Sequence, residues 1–351
     1  MSEQLHSKIF FIGDKGIQRL RNIEGILKNR GVPSWVKIAI NAILSEVTPF
    51  EIIKGSYKLA VINKTDGLVY TLEILPKNIM ERKKQIYQMY RQILKEHDKK
   101  LQIMLPIETF YHPITDGYFA YLTMTDYCSD VYSVLENRNY EALNTLEEQI
   151  TLYEQMIALM NTYATLCDNE IYLVDIKPEN MLLCSDGLYF IDVDDVSIVK
   201  GKNTPDISES ATHYYKTHDW EDFLYKVDRG YVKKERIRTR LEYEGWQALV
   251  KTYFGIKTGK QNEYNDMVQL LGRDSIFYGW IGNWLRQRTD PLIEQDSMLF
   301  NVLNSYNTGN DASIKNKNIR NWLAHENIRF YLKNLKVGRA SSLSPNIKLR
   351  F

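Results

Sequence analysis

The sequence predicts an α+β fold, in which a small sheet with one helix precedes a larger, mainly helical body. Three observations carry this. Apolar residues change from helical to alternating spacing at Pro49, and return to helical spacing from about Ser129. Turn signals near Gly55 and at "KTDG", residues 64–67, cut the alternating stretch into strands. A later stretch, "VDIKPENMLLCSDGLYFIDVDD" (174–195), sets acidic groups at both ends of an apolar strand pair.

In chain order, Ile17, Leu20, Ile23 and Leu27 share one helical face, and Gly31 with Pro33 supplies a stop. A second helix is expected from Ser34 to about Val47. "FEIIKGSYKLAVINKTDGLVYTLEIL" (50–75) reads as three strands, and "NIMERKKQIYQMYRQILKEH" (78–97) as a polar helix. "LQIMLPIETFY" and "GYFAYLTM" supply two further strand candidates. The last stretch, "VGRASSLSPNIKLRF", is basic and Ser-rich, and is expected to be a mobile tail. No internal repeat is present.

Charge is nearly balanced, 45 basic against 44 acidic residues over 351, so no global basic field argues for nucleic acid. The three cysteines, Cys128, Cys167 and Cys184, are odd in number and lack a Cys-x-x-Cys spacing. This reads against a disulfide framework or structural zinc, and for a reducing compartment. No apolar run is long enough to span a bilayer, and the start of the chain has no signal-peptide pattern. The expectation is a soluble, cytoplasmic protein with no membrane span.

Within 174–195 the spacing is informative. Asp175, Lys177 and Asn180 stand at i, i+2 and i+5, followed by "MLL", the turn "CSDG" and a second strand ending at Asp192. Converging carboxylates need a cation between them, or one must stay protonated. The pattern "DIKPENMLL…GLYFID" resembles the eukaryotic-type protein kinase family, whose catalytic loop reads Asp-x-Lys-Pro-x-Asn and whose metal-binding Asp ends the next hairpin.

The resemblance covers about residues 50 to 300 and implies a two-lobed protein kinase-like fold. Its small N-lobe is mainly β, and its larger C-lobe is mainly helical. The expected organisation is an N-terminal helical extension over 1–48, an N-lobe over 49–126, a C-lobe over 127–300, and a C-terminal helix with a basic tail over 301–351. The implied chemistry is transfer of the ATP γ-phosphate to Ser/Thr of a protein substrate, with ATP and Mg²⁺ as cofactors. Phosphoryl transfer needs hard oxygen ligands for Mg²⁺. By resemblance, Asp192 and Asn180 would hold metal, Asp175 would act as base, and Lys177 would neutralise charge on the moving phosphoryl group. "YFAYLTMTDYCSD" looks like the fifth strand and hinge. There Met124 would be the gatekeeper, the backbone of Thr125 and Tyr127 would meet adenine, and Asp130 would reach the ribose.

Several positions depart from the family pattern. Val174 stands where an Arg commonly docks a phosphorylated activation loop, so regulation by loop phosphorylation is not expected. Asp-Phe-Gly becomes Asp192-Val193-Asp194, with Asp194 and Asp195 as further candidate ligands. "ATHYYKTHD" (211–219), with Thr212 and Tyr215 in register, only weakly resembles the end of an activation loop. The strand-three lysine is replaced by Glu73, and its partner glutamate falls near Arg91, which predicts a reversed ion pair. A carboxylate facing ATP phosphates is repulsive, so another cation must serve. "GSYK" (55–58) resembles the glycine-rich loop of the with-no-lysine kinases and nominates Gly55 and Lys58 as nucleotide-binding residues. Two alternatives stand beside the kinase reading: a pseudokinase acting as a binding or scaffold module, and a small-molecule phosphotransferase. Ser341, Ser342 and Ser344 in the tail are candidate substrates in cis.

Overall fold

The structure is a computed structural model that describes most of residues 23–338. Breaks fall at 46–56, 64–66, 97–100, 115–116, 135–142, 202–204, 209–218, 260–273 and 305–310, and at single positions elsewhere. Two compact units form, Met1–Lys99 with Met104–Cys128, and Lys100–Ile103 with Ser129–Phe351.

In the first unit, helix α1 (Ser34–Ser45) precedes strands β1 (Tyr57–Asn63) and β2 (Leu68–Pro76). Helix α2 (Lys77–Glu96) follows, then β3 (Glu108–Pro113) and β4 (Tyr118–Asp126). The strands form one antiparallel sheet in the order β1-β2-β4-β3. Side chains alternate across a strand, and β2 uses both faces. Tyr70, Leu72 and Ile74 pack with Ala120 and Leu122 against Ile23, Ile26, Val36 and Ile40. On the other face Leu75 packs with Tyr121 and with Met80 of α2. The described residues of the expected N-terminal helical extension, among them Ile23, Ile26, Val36 and Ile40, share a core with the sheet. The physical reason is that one face of the sheet is apolar and needs a cover.

The second unit starts with β5 (Ser129–Asp130) and the long helix α3 (Leu146–Asp168). Thr145 caps α3 reciprocally with Glu148, so two orphan amides of the first turn are satisfied. Next come β6 (Ile171–Leu173), a 3₁₀ turn (Pro178–Asn180), β7 (Met181–Cys184), β8 (Gly187–Phe190) and β9 (Val196–Ile198). The strands pair as β5-β7-β8 and as β6-β9. Helices α4 (Trp220–Asp228), α5 (Lys234–Thr258), α6 (Asp274–Arg286), α7 (Ile293–Asn304) and α8 (Ala312–Gly338) complete it. Residues 243–258 of α5 are buried on every side. The ring of Trp246 meets that of Tyr163 edge-on with centroids 4.8 Å apart.

Cys167, within α3, is a free and buried thiol. One expectation needs correction. The strand expected over 101–111 begins only at Glu108; before it, Ile103 makes a single bridge to Phe190. Among the described residues, no helix is long and apolar enough to cross a membrane. Gly55, Thr212, Tyr215 and the tail serines Ser341, Ser342 and Ser344 lie outside the described residues.

Candidate functional site

The segment after β6 runs extended, and burial alternates along it. Val174 and Ile176 are buried, while Asp175 and Lys177 turn the other way. Two apolar anchors thus present an acid and a base side by side. Lys177 is itself extended (φ −163°, ψ 165°), as expected of a residue before proline. Pro178 then opens the 3₁₀ turn, where its missing N–H costs nothing. The turn brings Asn180 back: its Nδ2 donates to the Asp175 main-chain oxygen at 2.8 Å and to Asp175 Oδ2 at 3.0 Å. Lys177 Nζ lies 2.9 Å from the same Oδ2, with both side chains about one-fifth exposed. One carboxylate oxygen is therefore held by a cation and an amide.

The β7–β8 hairpin delivers Asp192. Its register, Met181 opposite Phe190 and Cys184 opposite Gly187, leaves Ser185 and Asp186 as a two-residue turn. Ile191 N then donates to Asn180 O at 3.0 Å, which ties the end of β8 to the Asp-Lys-Asn loop. Asp192 takes φ 52°, one of two non-glycine residues with positive φ among the described ones. That backbone costs energy for a residue with a Cβ and concentrates at functional sites.

Asp175, Asn180, Asp192 and Asp195 line one cleft, floored by Leu173, Val174, Phe190 and Val193. Among the described residues, no group of three or more His, Cys, Asp or Glu side chains forms a metal cage. The donor set still fits Mg²⁺, which keeps several waters and takes one or two carboxylates beside substrate phosphates. Asp195, a candidate ligand by sequence, accepts a hydrogen bond from the Ser208 hydroxyl. Asp130 lies in β5 opposite Leu182.

In the first unit, Glu73 corrects the sequence reading of its partner. Lys83 Nζ on α2, not Arg91, meets Glu73 Oε2 at 2.6 Å, and both side chains are nearly buried. Arg91 is exposed on α2, and its guanidinium donates to the Pro106 carbonyl at 3.1 Å. Helical spacing carried this signal: Lys83 lies three residues from both Met80 and Ile86, which are buried. On β1, Lys58 is the direct register partner of Glu73. Met124 and Thr125 lie opposite Tyr70 and Val69, next to the last β2–β4 pair, Leu68 with Asp126. The Tyr127 amide donates to Gly67 O at 2.8 Å, so the N–H assigned to adenine is already engaged.

No family model and no curated protein sequence matches this chain.

Proposed function

We propose that the chain is a divergent Ser/Thr protein kinase with a kinase-like two-lobed fold, using ATP and Mg²⁺. The observation that carries this reading is the Asp175–Lys177–Asn180 loop, closed on one carboxylate oxygen and sharing a cleft with Asp192. A solvated surface hairpin has no need to fix an acid between a lysine and an amide. The sheet order β1-β2-β4-β3, with α2 inserted after β2, also agrees with the small lobe that the resemblance implies.

In this reading Asp175 orients a substrate hydroxyl and receives its proton, with its carboxylate held in place by Asn180. Lys177 offsets negative charge as the phosphoryl group moves. Asp192 and Asn180 would hold Mg²⁺, which would supply neutralisation of phosphate charge. Thr125 contributes main-chain polar groups toward adenine, Asp130 reaches the ribose, and Lys58 supplies the cation that Glu73 cannot.

A second reading, nucleotide or partner binding without turnover, is favoured by the Glu73–Lys83 pair, which sets a carboxylate where phosphates need a cation. Two substitutions separate the readings. Asp175→Asn should keep Mg²⁺-ATP affinity and lower turnover by about 10²–10⁴-fold, while Asp192→Asn should weaken Mg²⁺-ATP binding itself. Equal activity of wild type and Asp175→Asn would overturn the kinase reading. Nucleotide binding with no phosphoryl transfer to any Ser/Thr substrate panel would favour the second.

A further inference from the structure

The turn that carries Asp192 is followed by a folded-back arm. After β9 the chain turns at Lys200 and Gly201 (φ 57°) and returns antiparallel. Ile198 N donates to Asp206 O at 2.7 Å, and Asp206 N to Ile198 O at 2.9 Å. Two residues further, Ser208 is buried and makes two contacts of different kinds. Its N–H donates to Ser197 Oγ at 3.0 Å, and its hydroxyl donates to the Asp195 carboxylate. The arm therefore reaches across β9 and grips the residue three positions beyond Asp192.

We infer that Ser208 is a positioning residue for the metal-side turn Asp192–Asp195. The inference rests on the kinase reading and adds a part to it. Asp192 holds a backbone conformation that a residue with a Cβ rarely adopts, so its surroundings must fix it. On one side Val193 and Val196 are buried at 2% and 0% exposure. On the other side Ser208 holds the Asp195 carboxylate. Without that hydroxyl the Asp195 carboxylate loses a partner, and the turn that carries Asp192 into the cleft it shares with Asn180 is held less firmly. Groups that orient a ligand-bearing segment commonly matter to metal affinity nearly as much as the ligands themselves.

Ser208→Ala removes the hydroxyl and keeps the N–H to Ser197. Amide hydrogen exchange of the protein alone should then speed up over 192–198 and not in α3 or α5. In a titration of a fluorescent ATP analogue, the Mg²⁺ concentration for half-saturation should rise by about 10- to 100-fold. Ser208→Thr, which keeps the hydroxyl, should restore both readouts. Asp195→Ala should reproduce Ser208→Ala, and the double variant should be no worse than either single one; this arm stands if Ser208→Ala fails to fold. Wild-type exchange and wild-type Mg²⁺ dependence in Ser208→Ala overturn the positioning role while leaving the kinase reading intact. A wild-type protein that binds no nucleotide with Mg²⁺, or whose binding ignores Asp192→Asn, overturns the kinase reading and this inference with it.

Discussion

Lys83 and Glu73 form an ion pair of 2.6 Å, with only 12% and 8% of their side chains exposed. The strand supplies the acid and the helix the base. At such depth removing one partner leaves a charge with little water around it, at a cost of about 3–5 kcal/mol for a fully buried pair. Glu73→Lys and Lys83→Glu should each destabilise the protein strongly. Joined, they rebuild a pair of opposite polarity, and chemical denaturation should show a favourable coupling of about 0.5–3 kcal/mol. Glu73→Lys combined with Arg91→Glu should be additive, because Arg91 instead binds the Pro106 carbonyl. Coupling of Glu73 to Arg91 and none to Lys83 would contradict this geometry.

A second prediction concerns the close approach of α3 to α5. A Cβ on Gly245 would stand 2.0 Å from Tyr163 Oη and 2.1 Å from Tyr163 Cζ. Tyr163 is buried, and its hydroxyl donates to Leu241 O at 3.1 Å and Glu242 O at 3.2 Å. Replacing a helical Gly with Ala ordinarily gains roughly 0.5–1 kcal/mol. Here overpacking should win, with a net loss of about 1–3 kcal/mol. Tyr163→Phe should not rescue Gly245→Ala, because the ring carbon that clashes remains. A stabilised Gly245→Ala, read by thermal unfolding, would show that the helices are further apart.

The third prediction lies where α5, α7 and the turn after α6 meet. Asp296 is fully buried and accepts from Lys257 Nζ at 2.5 Å, Arg288 Nη1 at 2.7 Å and Tyr253 Oη at 2.6 Å. One acid therefore balances two cations. Asp296→Asn keeps the shape and removes the buried charge that both cations contact, so the loss should be about 3–5 kcal/mol. Lys257→Met leaves Asp296 its contacts with Arg288 and Tyr253 and should cost clearly less. Denaturation midpoints in the opposite order would mean that Lys257, not Asp296, holds the cluster together.

The elements were legible in the sequence where one physical signal dominated. The apolar alternation at Tyr70, Leu72 and Ile74 and the "KTDG" turn signal are local features of the sequence, so β1, β2 and the helix after them appear near their expected bounds. Asp175, Lys177 and Asn180 were singled out by their spacing and the kinase-like motif that carries it, and the structure brings the three side chains together through a short turn. Pairings set by tertiary packing were not legible. Choosing Lys83 over Arg91 needed the rotation of α2 on the sheet, which the buried positions Met80, Ile86, Tyr90 and Ile93 define. The grip of Ser208 on Asp195 depends on a fold-back at Gly201 for which the sequence offers only a glycine.

The last prediction concerns alkaline pH. Tyr253 and Tyr163 are pushed well above the ordinary tyrosine range, first by burial; next come Asp296 for Tyr253 and Cys167 for Tyr163. Tyr153 and Tyr172 shift the same way, again chiefly by burial. In the unfolded chain all four ionise near an ordinary value of about 10. The folded form thus keeps protons that the unfolded form releases, so the stability from these shifts is fully present below about pH 10 and lost as pH rises beyond it. Thermal midpoints measured from pH 8 to 11 should fall steeply in the upper part of the range. Tyr253→Phe removes one such proton and leaves Asp296 its bonds to Lys257 and Arg288, so its midpoint should fall less steeply with pH than that of wild type. A parallel fall in the two proteins would mean that Tyr253 ionises in the folded state as readily as in the unfolded one, and that water reaches its hydroxyl.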